Sequence, residues 1–217
     1  MKSPLTLFIG NYNYSSWSLR SWLVLTKAEL PFDVEVIDLD VPGYKDRLLA
    51  LSDAGTVPVL QVGEDRIPDS LAISEFAARA VPNLWPKDAG DKVRARALVE
   101  KMHTGFEALR REAPMNLRRR TTNDTMPEDC LKDSAEVEAL WQDCLSRHDG
   151  PFLFDDWSIA DAFYAPVATR FESYGLPRSR RSDIYISELM SDPDFQDWEA
   201  MAFAETHIMP NFDAVNG

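Results

Sequence analysis

The hydrophobic pattern of this chain changes period near residue 80. Before that point apolar positions come in short blocks or alternate, and beyond it they recur every three to four residues. Leu5–Ile9 (LTLFI) is an apolar block of strand length, and the polar, aromatic stretch 11–16 behind it predicts a loop. Leu19, Trp22, Leu23 and Leu30 then keep helical spacing. That helix is expected to stop before Pro31, because a residue preceding proline is biased out of the helical region. Phe32–Leu39 (FDVEVIDL) alternates with period two and predicts a second strand, with a short helix over Tyr44–Leu51. Val57–Val62 and Arg66–Pro68 flank Gly63, Glu64 and Asp65 as a tight antiparallel hairpin, and Ser70 opens a helix toward Ala80. The predicted order is βαβαββα.

No further strand is expected. Pro82, Pro86 and Gly90 punctuate a linker over 81–90, and Leu98, Met102, Phe106 and Leu109 share one face of a helix running from Asp91 toward Pro114. A second helix carries Val137, Leu140, Trp141, Cys144 and Leu145. Ser158-Ile-Ala-Asp161 resembles a capping box, with aspartate in the usual Glu/Gln place, and starts a third helix with Ile159, Phe163, Val167 and Phe171 inward. Shorter helices near Ile184–Met190 and Phe195–Ala204 complete the expectation. It is an α/β domain at 1–80, a linker at 81–90 and an all-α domain at 91–217, without internal repeats or low-complexity tracts.

Composition narrows the function classes. The chain is 45% hydrophobic and 11% aromatic, enough for a sizeable core, which excludes disordered and fibrous architectures. Its 23 basic against 36 acidic residues give a net charge of −13, which repels phosphate backbones and anionic lipid, so neither nucleic acid nor a membrane surface is an expected partner. Both halves carry excess acid, as suits a soluble cytosolic protein. No apolar run approaches the roughly 18 residues of a membrane span, and the N-terminal apolar block is too short for a signal peptide. Cys130 and Cys144 fall in one predicted helix, where fourteen positions separate them by about 21 Å, too far for a disulfide. With no CxxC and with His103, His148 and His207 far apart in sequence, neither a redox pair nor a metal site is indicated.

The glycines are never closer than eight positions, so no dinucleotide-binding or Walker loop is present; GxSxG and HExxH are also missing. Arg118–Arg120 sit near a predicted helix end, where cations complement the dipole; an anion or substrate contact is the alternative. Three junctions remain. Ser15-Ser16-Trp17-Ser18-Leu19-Arg20 leads from the first strand into the first helix, so hydroxyls and backbone N–H groups meet at a positive helix end that would stabilise an anion. Plain N-capping would equally explain Ser16 or Ser18. Pro58, at a strand entry, cannot donate to the ladder; a cis Val57–Pro58 bond is the natural use of it and leaves the Val57 backbone to pair with an extended ligand. Asp69 and Ser70 end a strand and start a helix, where they either receive the two charged ends of a ligand or merely cap.

Together these features resemble the glutathione transferase family, and the likeness covers nearly the whole chain. It comprises SSWS after the first strand, Val57-Pro58 before the third, Asp69-Ser70 before the third helix, then the Ser158–Asp161 box and the embedded Pro166. The resemblance implies a thioredoxin-like N-terminal domain followed by a helical C-terminal domain. SSWSLR is most similar to the serine-type, zeta-class motif, although Trp17 stands where that motif has cysteine. That departure points away from isomerisation of maleylacetoacetate and toward a bacterial-type transferase. The implied activity joins the glutathione thiolate to a small hydrophobic electrophile, as in detoxification, with glutathione as co-substrate, no metal, and a homodimer. A glutathione-dependent isomerase and a non-catalytic glutathione-binding module are the alternatives. By the same resemblance Ser15 donates a hydrogen bond to the thiolate, with Ser16 next and Tyr12 or Tyr14 as tyrosine-type substitutes. Val57, Pro58, Asp69 and Ser70 hold the tripeptide, with Lys45 at its glycyl carboxylate. Trp17, Met102, Phe106 and Met115 face the electrophile, though each would serve equally well in the core.

Overall fold

The computed structural model describes residues 5–121 and 125–215. The N-terminal part runs β1 (Leu5–Ile9), α1 (Ser16–Lys27), β2 (Asp33–Val36), α2 (Tyr44–Leu51), β3 (Val59–Val62), β4 (Asp65–Pro68) and α3 (Ser70–Ala80). The sheet order is β2-β1-β3-β4, with β1 parallel to β2 and antiparallel to β3, and β3 antiparallel to β4. This is the thioredoxin-like arrangement.

Strand alternation sorts the faces. Leu5, Leu7 and Ile9 point into the main core, against α1 and α3, whereas Phe8 joins Ile37, Leu48 and Val59 in a small separate cluster beneath α2. The hairpin closes on Gly63 and Glu64, with Gly63 at φ 62°, where a side chain would be strained.

A 3₁₀ turn (Pro82–Leu84) leads to α4 (Ala89–Thr104), α5 (Glu107–Glu112), α6 (Glu128–Arg147), α7 (Ile159–Tyr174), α8 (Arg180–Ser191), α9 (Pro193–Ala204) and α10 (Pro210–Asp213). Helix α7 is buried along nearly its whole length and packs on α1, α4 and α8, so one continuous core joins the sheet half to the helical half. Its start is held by Asp161. Oδ2 accepts from the Ser158 N–H and hydroxyl, both at 2.9 Å, while Oδ1 accepts from the Leu153 N–H at 3.1 Å and the Tyr185 hydroxyl at 3.2 Å. Among the described residues no helix is long and apolar enough to cross a membrane.

Four boundaries differ from the sequence expectation. Helix α1 ends at Lys27, short of Pro31, because Glu29 takes a left-handed φ of 52° and the Leu30 and Glu29 N–H groups return to the carbonyls of Leu25 and Thr26. That is a Schellman closure, which needs no proline. Strand β2 is shorter than Phe32–Leu39: beyond Ile37 the chain turns to the β1–α1 loop, and the Leu39 N–H goes to the Asn11 side chain at 2.9 Å. Strand β3 starts at Val59, after the proline without an N–H. The helix expected from Asp91 to Pro114 is two helices, broken at Gly105, where a Cβ would meet the Lys101 carbonyl at 2.8 Å, and at Phe106 with φ 57°.

Candidate active site

The loop from β1 into α1 is shaped by close approach and by buried amides. At Gly10 a Cβ would lie 2.8 Å from the Leu39 side chain and 3.1 Å from Ser15, so only glycine lets the strand end pass there. Asn11 and Asn13 are fully buried and serve as scaffold. The Asn11 carbonyl accepts from the Tyr14 and Ser15 N–H groups, and Asn13 bonds Asn116 and the Arg118 N–H. The Glu205 carboxylate, from just past α9, accepts the Tyr12 N–H at 3.0 Å and the Asn13 N–H at 3.1 Å.

Ser15 and Ser16 emerge from this loop at the start of α1, each 7% exposed, and line a cavity of about 750 Å³. Ser15 takes the N-cap position without a side-chain capping bond, so its hydroxyl is not used to cap the helix. Its Oγ lies 2.7 Å from Ser18 Oγ, which also accepts from the Gly10 N–H at 3.1 Å. The first turn of α1 holds no acidic residue, so the helix end keeps its positive potential for an anion.

Tyr14 also lines the cavity, whereas Tyr12 does not. The Tyr14 hydroxyl donates to Asp213 at 3.1 Å and accepts from Arg118 and the Met209 N–H, both at 3.3 Å, so it is fully engaged. Tyr12 lines a separate groove beside Glu205 and His207, and burial, with the Glu205 charge, raises its pKa.

The opposite wall of the cavity comes from the sheet. It includes Thr56, Val57 and Pro58, with the Val57–Pro58 peptide cis, and then Pro68, Asp69 and Ser70. Asp69 has φ 89° and is the N-cap of α3: Oδ1 accepts from the Leu71 and Ala72 N–H groups at 2.8 and 3.1 Å, while Oδ2 lies 3.1 Å from His103 Nε2 on α4. Ser70 Oγ is buried and has no partner among the described residues. Capping therefore belongs to Asp69, which leaves the Ser70 hydroxyl for a ligand. Lys45 does not line the cavity; its neighbours Tyr44 and Leu48 do.

The helical half closes the third side with His103, Arg110, Pro114, Met115, Arg170 and Phe212. Of the four residues expected to face an electrophile, Met115 is on this wall and Trp17 lines the cavity from α1. Met102 and Phe106 are in the core, 0% and 6% exposed, because the break at Gly105 turns Phe106 inward. Arg118 and Arg119 lie outside the helices and do not line the cavity. They hold the C-terminal segment, Arg118 through the Glu205 and His207 carbonyls and Arg119 through those of Asp213 and Val215. That tie carries Phe212 over the cavity, 5.6 Å from the Tyr14 ring. Cys130 and Cys144 are buried in α6, and burial pushes their thiols up to about 11 and 12, which makes both inert near neutrality.

Ser70→Ala is expected to leave the melting temperature in place, since Asp69 and not Ser70 caps α3. A clear fall in thermal unfolding would make the Ser70 hydroxyl a structural group.

Residues 14–80 match the family model described as glutathione S-transferase, N-terminal domain. A Caenorhabditis elegans protein named as a probable maleylacetoacetate isomerase is 25% identical over 187 residues, covering 83% of this chain and 87% of that one. A Burkholderia glutathione transferase homologue solved with bound glutathione superposes with a TM-score of 0.72 at 21% identity, over 93% of this chain and 99% of the other. Glutathione transferase F2 of Populus trichocarpa gives 0.74 at 14% identity, over 93% and 100% of the two chains. These structural likenesses extend the thioredoxin-like and helical fold beyond the matched domain to almost the whole chain. The chain is thus similar to glutathione S-transferases, by sequence over residues 14–80 and by fold over almost its whole length.

Proposed function

We propose that the protein is a glutathione transferase in which Ser15 stabilises the glutathione thiolate for attack on a small electrophile. The observation that carries this reading is the line Gly10 N–H, Ser18 Oγ, Ser15 Oγ at the α1 N-terminus, inside the cavity that Ser70 also lines. The Gly10 N–H occupies the Ser18 oxygen as an acceptor. With the Ser18 proton given to Ser15, one of the two directions the 2.7 Å contact allows, the Ser15 proton is left to donate to sulfur. A thiol of pKa about 8.5 is only a few per cent ionised at neutral pH, and a two-unit drop requires about 2.7 kcal/mol of thiolate stabilisation. One charge-assisted hydrogen bond and a helix end supply that order of magnitude. The thiol proton leaves to water, and the sulfur electron pair forms the new bond to carbon. Ser15 is neither nucleophile nor base, and Ser16 is its substitute.

In the same proposal Val57, Pro58, Asp69 and Ser70 hold the tripeptide, while Trp17 and Met115 meet the electrophile. The homodimer implied by the family likeness belongs here too, with a sedimenting mass twice that of the chain as its mark. A glutathione-dependent isomerase is the second reading, favoured by the name of the Caenorhabditis elegans relative. A panel of electrophiles assayed for glutathione consumption separates these readings. A transferase consumes glutathione with at least one of them, an isomerase changes its substrate without net consumption, and binding without any turnover would leave only a binding module.

A further inference from the structure

The wall supplied by the helical half carries two arginines that form no ion pair with any described residue. Arg110 on α5 and Arg170 on α7 both line the cavity beside His103. The Arg110 side chain forms no ion pair with any described residue; it feels Glu107 and Asp133 only through space, and its guanidinium lies 5.4 Å from the Trp17 ring centroid. Arg170 is 3% exposed, and its bonds go to neutral groups, Nε to the Ala113 carbonyl and Nη1 to the Pro166 carbonyl, both at 2.8 Å.

Behind them Arg20 on α1 is completely buried. None of its three guanidinium nitrogens has a partner among the described residues, and the group lies 4.2 Å from the Trp17 and 5.0 Å from the Phe163 ring centroid. Burial, followed by the charges of Arg170 and Arg110, holds the Arg20 pKa well below its usual range. Among the described lining residues Asp69 is the one carboxylate, and it is already engaged by the α3 N-terminus and His103. Burying charge without a counter-charge is costly, and a chain of net charge −13 has acid to spare for pairing. Two guanidinium groups on the cavity wall and a third behind them, with no acid hydrogen-bonded to any of them among the described residues, are therefore arranged for a charge that arrives from outside.

The geometry points to a second substrate that is a carboxylate-bearing electrophile, with its carboxylate received by Arg110 and Arg170 and its apolar body against Trp17, Met115 and Phe212. The planar guanidinium fork matches a carboxylate, and Arg110 is the cavity guanidinium with no hydrogen bond to give up. Arg20 does not line the cavity and adds only its field. The inference rests on the transferase reading of the same site and narrows its electrophile from hydrophobic to anionic at one end. A Michael acceptor such as 4-oxo-4-phenylbut-2-enoate illustrates the chemistry. The thiolate pair forms the S–C bond, the C=C π pair moves onto the neighbouring carbon, and a proton from water completes the adduct, with no leaving group or oxidant.

Two measurements test it. The first compares kcat/KM for 4-oxo-4-phenylbut-2-enoate and its methyl ester with glutathione, each relative to its uncatalysed rate. The second is calorimetry of the unreactive 4-oxo-4-phenylbutanoate and its methyl ester in the presence of glutathione. The acid is expected to bind at least about tenfold more tightly than the ester, the scale of one charge-assisted pair. In Arg110→Gln the acid-to-ester ratio should collapse toward one. Equal binding of acid and ester, binding of neither, a preference that survives Arg110→Gln, or a loss of glutathione affinity in that variant would each overturn the inference. Preference for the acid without turnover keeps the anion subsite and rejects the transferase reading; equal turnover of acid and ester does the reverse.

Discussion

In Ser15→Ala the thiol of bound glutathione should titrate about one to two units higher than in the wild type, and turnover at neutral pH should fall by about 10- to 100-fold. Each unit of pKa removes about tenfold of thiolate at a pH below both values. Tripeptide affinity should change little, because the lost bond is made to sulfur, and the acid limb of the rate profile should move up with the thiol. Ser18→Ala is expected to fall between wild type and Ser15→Ala: the Ser15 hydroxyl survives, but the partner 2.7 Å away that orients its proton is gone. Ultraviolet difference titration of the bound thiol reads both variants. Low-pH ionisation retained in Ser15→Ala but lost in Ser16→Ala would move the role to Ser16.

The largest effect on stability is expected at Asp161, where one carboxylate answers four donors at the start of α7. Burial pushes its carboxyl up to about 6 even though all four hydrogen bonds pull the other way. Asp161→Ala strands the Leu153 and Ser158 N–H groups and the Tyr185 hydroxyl in the core. At about 1–3 kcal/mol for each unpaired buried group, less what relaxation recovers, a loss of about 3–5 kcal/mol follows. Against a total of roughly 5–15 kcal/mol this is a large share of the fold, and the melting temperature should drop by roughly 10 °C. Asp161→Asn should also destabilise, since its amide offers one acceptor oxygen and presents N–H groups to donors. Denaturant unfolding that shows a loss below about 1 kcal/mol would mean that the α7 start is held by packing alone.

Where the chemistry is local, the chain could be read directly. Helices α2 and α3 fall within the expected limits because their ends carry their own signals, and the Ser158–Asp161 box announces α7. The end of α1 was hidden because its left-handed residue is Glu29, where a glycine would have been noticed. The break at Gly105 did carry a signal, a lone glycine inside an apolar period. The serine and Asp69-Ser70 sides of the cavity were legible since both lie at strand-to-helix junctions, where loose backbone groups collect. Its helical wall was not, because His103, Arg110, Arg170 and Phe212 meet only through tertiary packing. One clue was present even so: Arg20 and Arg170 each interrupt the apolar face of a helix that is otherwise inward.

The Glu205 carboxylate that receives the Tyr12 and Asn13 N–H groups has a consequence for how the protein is made. The loop bearing Ser15 is synthesised nearly two hundred residues before its carboxylate partner and the Asp213 side chain that engages Tyr14. The sheet half can form from near neighbours, but these bonds close a circuit of nearly two hundred residues and must overcome its loop-closure entropy. Ordering of the Ser15 loop is thus deferred until the segment around Glu205 has been made. A nascent chain has its sheet half before the Ser15 loop is pinned, and it meets its surroundings first as a scaffold.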